Sequence, residues 1–132
     1  MNGSIALEGR RYPPLRFAVE ADRVRAFAAA VGHHVGGVPP TFVTAPELAA
    51  GLSNLLDDPD LSIELSQVLH GEQAYEWRRP ITVGEVLTAQ ATIERIRDRG
   101  ATRFLTLRTE LRDDAGDVVA LGRCTLIVRT DT

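Results

Sequence analysis

The stretch from Leu61 to Ile93, LSIELSQVLHGEQAYEWRRPITVGEVLTAQATI, decides the fold. Its odd positions carry Leu61, Ile63, Leu65, Leu69, Tyr75 and Trp77, then Ile81, Val83, Leu87, Ala89, Ala91 and Ile93. The even positions are mostly Ser, Glu, Thr, Gln, His and Arg. Alternation with a period of two is the mark of a strand with one apolar and one wetted face. Arg79-Pro80 and a turn at Gly84 divide the stretch, so it predicts two strands, both longer than the usual five or six residues. Strands of that length belong to a sheet that curls around something.

Downstream, Thr102 to Leu111 and Val118 to Arg129 alternate in the same way. The connections Arg97–Gly100 and Asp113–Asp117 are short, polar and glycine-bearing, as hairpin loops are. The second half therefore reads as a meander of four antiparallel strands. Upstream, Met1 to Arg11 is weakly patterned and reads as a loose lead-in, and Leu15 to Val19 reads as a short edge strand behind Tyr12-Pro13-Pro14. A first helix, Ala21 to Val31, places Val24, Phe27, Ala28 and Val31 on one side and ends at Gly32. Thr44-Ala45-Pro46-Glu47 has the pattern of a capping box. The second helix, Ala45 to Leu56, presents Leu48, Leu52, Leu55 and Leu56 over most of its circumference, with Ala49, Ala50 and Gly51 allowing close approach. A helix so apolar is buried, so it is the one the sheet wraps. Asp57-Asp58-Pro59 stops it.

The 132 residues make a single α+β domain, 1–132, with helices grouped on one face of an antiparallel sheet. Net charge is -3, and the basic residues are dispersed among acidic ones, which points away from nucleic acid and membrane surfaces as partners. The single cysteine, Cys124, excludes an internal disulfide and a cysteine-based metal cluster and suits a reducing cytosol. No run approaches a membrane span, and the first residues lack the pattern of a signal peptide, so the expected location is cytoplasmic.

Polar chemistry in the first half is concentrated in His33 to Pro40, HHVGGVPP. His33 and His34 are the candidate catalytic residues. The competing reading is a solvated loop, because neighbouring side chains in an extended loop point apart and no adjacent carboxylate orients either ring. Phe42, behind Pro40 and Thr41, is placed to line an apolar pocket. His70 falls on the polar parity of its strand, although a bulge at Gly71 would reverse its side. Glu72 and Gln73 read as partners of strand-edge groups, and Tyr75 and Trp77 as core. Three scattered histidines make no metal site, and no cofactor is expected. Glu47 is the one carboxylate near the helix start able to activate water, a role its capping position argues against.

Val68-Leu69-His70-Gly71-Glu72-Gln73, followed by Arg79-Pro80-Ile81-x-x-Gly84-Glu85-x-Leu87, resembles the strand and turn of the MaoC-like dehydratases, especially their N-terminal-type or FAS1-like dehydratase domain. Ala30-Val31-Gly32 and Pro39-Pro40-Thr41-Phe42 are similar to the same subgroup, and the resemblance covers nearly the whole chain in order. It implies a hotdog fold, in which a long helix is wrapped by an antiparallel sheet and two hotdogs pair side by side. It also implies 3-hydroxyacyl or enoyl thioesters of coenzyme A or acyl carrier protein as substrates, with Pro40, Thr41, Phe42, His70 and Gly71 at the substrate. Active members of that family carry Gly-Asp-x-Asn-Pro-x-His after the first helix. This chain departs from it: His33 follows Gly32 where the Asp stands, and no Asn-Pro-x-His comes after. The departure resembles members that lack the acid–base pair and work beside a catalytic subunit. The expectation is a substrate-binding hotdog in a homodimer or heterodimer. The alternatives are a self-sufficient dehydratase using His33 or His34, a thioesterase, and a non-catalytic acyl-binding module.

Overall fold

The structure is a computed structural model and describes residues 6–130. Its strands are β1 (Leu15–Ala18), β2 (Val68–Trp77), β3 (Val86–Arg99), β4 (Thr102–Arg112) and β5 (Val118–Arg129). They form one antiparallel sheet in the order β1-β3-β4-β5-β2, which leaves β1 and β2 at the edges. The helices are α1 (Ala21–Val31), α2 (Thr44–Ala50) and α3 (Leu52–Leu56), with a 3-10 turn at Pro40–Val43 running straight into α2. This is the hotdog fold, α+β in class.

The wrap follows from the side-chain parity. Leu87, Ala89, Ala91 and Ile93 of β3, Leu105, Leu107 and Leu111 of β4, and Ala120, Cys124, Leu126 and Val128 of β5 are all buried on the face toward the helix. Small residues set how closely the two layers meet. A Cβ on Gly51 would lie 3.3 Å from a Leu107 methyl and 3.1 Å from the Glu47 carbonyl, tighter than side chains normally accept. Gly51 also marks a joint between α2 and α3. Hydrogen bonds from the Gly51 N–H to the Glu47 carbonyl and from the Leu55 N–H to the Gly51 carbonyl, both 2.9 Å, carry the helical ladder across it.

Four local expectations are corrected. Leu61 to Trp77 is not one strand: Leu61 and Ile63 are buried, but in irregular chain, a 3-10 turn occupies Leu65–Gln67, and pairing begins only at Val68. The apolar alternation there reports burial under the helix end rather than strand geometry. Thr44-Ala45-Pro46-Glu47 makes no capping box, because the 3-10 turn feeds the helix from behind and leaves Thr44 inside it. The segment from Leu7 to Tyr12 is not loose. It lies along β3 through hydrogen bonds that join Gly9 and Arg10 to Ile93 and Tyr12 to Ala91, and the Asp58 carboxylate, just past α3, receives Arg10 and the Tyr12 hydroxyl. Burial alone would raise the Asp58 carboxyl, and those two donors hold it below the ordinary value instead. Met1 to Ile5 of the expected lead-in lie outside the described residues. Finally, β3 and β4 run on to Arg99 and Thr102, so Gly100 and Ala101 alone make their turn.

Phe42 is 2% exposed and meets Phe17 and Phe27 edge-on, with ring centroids 6.2 and 5.5 Å away. It locks α1 over the start of the central helix. Phe42→Ala is expected to lower the free energy of unfolding by about 3–5 kcal/mol, read from urea denaturation, because the surrounding rings cannot collapse into the space it leaves.

Candidate functional site

The inner face of edge strand β2 is where polar side chains meet the central helix. Its register against β5 shifts between His70 and Glu72, which is a bulge at Gly71. Ahead of the bulge, Val68 and His70 pair with the inward Val128 and Leu126; beyond it, Gln73, Tyr75 and Trp77 pair with the inward Cys124, Gly122 and Ala120. One inserted residue thus turns an even-numbered inner face into an odd-numbered one. Glycine suits the insertion, since a Cβ on Gly71 would stand 2.8 Å from the Ile127 side chain.

Glu47 projects from α2 onto this face and is 4% exposed. The Tyr75 hydroxyl donates to one of its oxygens at 2.6 Å, and the Gln73 amide donates to the other at 2.8 Å. With the tyrosine proton committed, Thr44 donates to the Tyr75 oxygen, 2.6 Å away. The carboxylate reaches its seat because Gly122 lies beneath it: any Cβ there would collide with the Glu47 carboxylate. Burial pushes the Glu47 carboxyl up from its ordinary value, a rise opposed by the Tyr75 and Gln73 hydrogen bonds and by nearby His70. Burial, and then the neighbouring Glu47, raise the Tyr75 hydroxyl as well. The Cys124 thiol is pushed up to about 12 by the same two causes, which makes it a packed group and not a nucleophile.

Two hollows flank this cluster. On one side a pocket of about 140 Å³ has Leu48, Leu52, Leu107 and Leu126 as apolar walls, with Glu47 and His70 at its polar end. On the other side a groove of about 460 Å³ runs between Val38-Pro39-Pro40 and Trp77 to Ile81, and the Trp77 ring N–H donates to the Pro40 carbonyl at 2.9 Å. Trp77 borders the groove, and its ring centroid lies 5.5 Å from that of Tyr75. Arg79 at the groove is held by Glu85 and Asp113, and it in turn keeps the Glu85 carboxyl low.

The sequence-predicted residues divide between these places. His70 lies at the mouth of the smaller pocket and Gly71 in the bulge beside it. Pro40 borders the groove, Thr41 is exposed next to it, and Phe42 is in the core. His33 is half-buried with its Nε2 3.0 Å from the Gly36 carbonyl, and His34 is exposed on the same loop. Neither lines either hollow. Sequence reasoning missed the cluster itself, reading Glu47 as a cap, Gln73 as an edge residue and Tyr75 as plain core. The signals available were Gly122 at an inward strand position and Gln73 and Tyr75 sharing a parity after Gly71. Among the described residues, no group of His, Cys, Asp and Glu side chains could hold a metal ion, and no helix is long and apolar enough to cross a membrane.

The fold is that of a MaoC-like dehydratase hotdog. Residues 6–121 match the FAS1-like dehydratase domain region, and the chain belongs to that family. It is similar to a UPF0336 protein of Streptomyces coelicolor, 33% identical over 94% of this chain and 93% of the relative. Among solved structures it resembles the C-terminally truncated HadBC (3R-hydroxyacyl-ACP dehydratase) complex of Mycobacterium tuberculosis, with TM-score 0.76 and 21% identity over 93% of this chain and 98% of that one. It also resembles a MaoC-like dehydratase with TM-score 0.75 and 23% identity, covering 95% of this chain and 43% of that one.

Two outcomes test the cluster. Gly122→Ala should destabilise the protein by about 1–3 kcal/mol through overpacking, and much of that cost should disappear in a Glu47→Ala background, as a double-mutant cycle by denaturation will read. Because the folded-state pKa of Glu47 is raised, the native state keeps a proton that the unfolded chain releases, and this contribution to stability is lost as pH rises. Measured from about pH 4 to pH 8, the stability of the native protein relative to Glu47→Gln should therefore fall with increasing pH.

Proposed function

We propose that this chain is the acyl-binding half of a (3R)-hydroxyacyl-thioester dehydratase, or enoyl-thioester hydratase, and that a second hotdog subunit supplies the catalytic Asp and His. Moving water across the double bond takes a base for the proton beside the thioester carbonyl, an acid for the leaving hydroxyl and donors for the enolate oxygen. The observation that carries the reading is the commitment of the polar groups. Those at the helix–strand contact, Glu47, Tyr75, Gln73 and Thr44, are bound to one another, and the loop histidines stand away from both hollows. What this face offers a substrate is apolar wall. The acyl chain would lie against Leu48, Leu52, Leu107 and Leu126, with His70 and Gly71 at the entrance, while Pro40 and Thr41, backed by Phe42, shape the neighbouring groove. The thioester would be borne by coenzyme A or a carrier protein, and the site of action would be the cytoplasm.

The partner would pair along β2. That strand is an edge of the sheet, and Leu65 ahead of it and Leu69 within it are 61% and 67% exposed. Such an edge invites another chain. The dyad-bearing subunit would be one occupant and a second copy of this chain another. A thioesterase reading retains one point in its favour, since burial moves the Glu47 carboxyl toward the range of a general base.

The purified chain alone should hydrate trans-2-enoyl thioesters roughly two to four orders of magnitude more slowly than its mixture with a dyad-bearing hotdog, the usual cost of a missing acid–base group. Rates with crotonyl and longer enoyl thioesters, alone and mixed, read this directly. Full turnover by the isolated chain that His33→Ala or His34→Ala abolishes without unfolding would make the loop histidines catalytic instead. Release of free thiol abolished by Glu47→Gln would make it a thioesterase.

A further inference from the structure

All 15 basic residues of this chain are arginines. Among the described residues nearly all of them have a partner: Arg10 has Asp58, Arg16 Asp114, Arg25 Asp22, Arg79 Glu85, Arg103 Asp98 and Arg123 Glu94. Arg78, Arg108 and Arg112 are likewise paired with carboxylates, Arg11 holds Gln90, Arg23 lies over the Phe17 ring, and Arg129 has an interaction of its own. The three without one stand side by side. Arg95, Arg97 and Arg99 are alternate residues of β3, all exposed, and all line one groove of about 310 Å³ on the outer face of the sheet.

The strand register shows what lies beside them. Arg97 pairs with Phe104, Phe104 with Ile127 and Ile127 with Leu69, so an apolar row crosses the outer face next to the arginines. Arg95 continues through Thr106 and Thr125 to Glu72, the one carboxylate lining the groove. Nearby Glu94 and Asp98 are already taken by Arg123 and Arg103. A chain with net charge -3 thus leaves its free positive charge in one place, beside exposed hydrocarbon.

We propose that this face docks an acidic amphipathic helix of a partner protein. Alternate strand residues lie about 6.6 Å apart, close to the rise of about 6 Å between helix residues four apart. Carboxylates on successive turns of one helix therefore meet successive guanidinium forks, each able to bind a carboxylate in two-pronged fashion. The apolar side of that helix covers Phe104, which lines the groove beside the arginines and begins the apolar row. A bare phosphate would leave that row exposed. On the proposed function, on which this identification of the partner rests, the helix belongs to the carrier protein that brings the thioester.

The probe is a purified acyl carrier protein, titrated against the full chain by fluorescence anisotropy at about 50 and 300 mM salt. The expected result is binding that weakens with salt and falls at least about tenfold in Arg95→Glu/Arg97→Glu/Arg99→Glu. If the reversed variant does not fold, the Arg→Gln triple serves, with a smaller loss expected. Absence of binding by the native chain, or binding unchanged in the triple variant, overturns the proposal. Equal competition by duplex DNA also does so, since it would mark a nonspecific anion surface. Turnover of a coenzyme A thioester by the two mixed subunits reads the proposed function separately. The triple variant should keep that turnover, and if turnover is absent while docking remains, the function fails and the surface stands.

Discussion

A carboxylate taken out of water and seated against a glycine governs the architecture of this protein. Glu47 loses its hydration between α2 and the sheet, and such a group is tolerated only where donors replace the lost water. Tyr75 and Gln73 are those donors, and both belong to β2. The strand at the open edge, held on its other flank by β5 alone, is thereby tied to the central helix. The Gly71 bulge turns Gln73 and Tyr75 inward, Gly122 leaves room for the carboxylate, and Gly51 lets the helix lie close enough for it to reach.

The same arrangement separates holding from chemistry. An acid–base site presents groups poised between two protonation states with room for a reacting atom between them. Here the donors are consumed within the cluster, and Tyr75 and Cys124 are driven further from ionisation by burial and by Glu47. Leucines wall the pocket, Glu47 and His70 stand at its polar end, and β2 is an edge strand. On the proposed function, this surface would be half of a site that a partner along the open edge completes.

Charge is partitioned as deliberately as polarity. Most arginines spend their charge on neighbouring carboxylates, so net charge hides the concentration of free cations on the outer face of β3. From the sequence, Arg97 and Arg99 read as part of a polar hairpin loop with Asp98 between them. Only the pairing of Asp98 with Arg103 and of Glu94 with Arg123 removes those acids from the field.

Sequence alone determined the elements whose signal is local and repeated: α1, the central helix as the wrapped element, the bounds of β5, the hairpin loop at Asp113–Asp117 and hence the wrapped antiparallel sheet. Periodicity carries these, because a helix or strand buries one face along its whole length. Tertiary structure decided the rest. Whether alternation at Leu61 to Gln67 means a strand depends on a partner strand, which is absent there. Whether His70 faces in or out depends on one inserted residue, which reverses parity without altering composition. Glu47 changed from a presumed cap to the buried anchor of the edge strand because its partners lie 26 and 28 residues along the chain, and no local pattern encodes a contact made across a sheet.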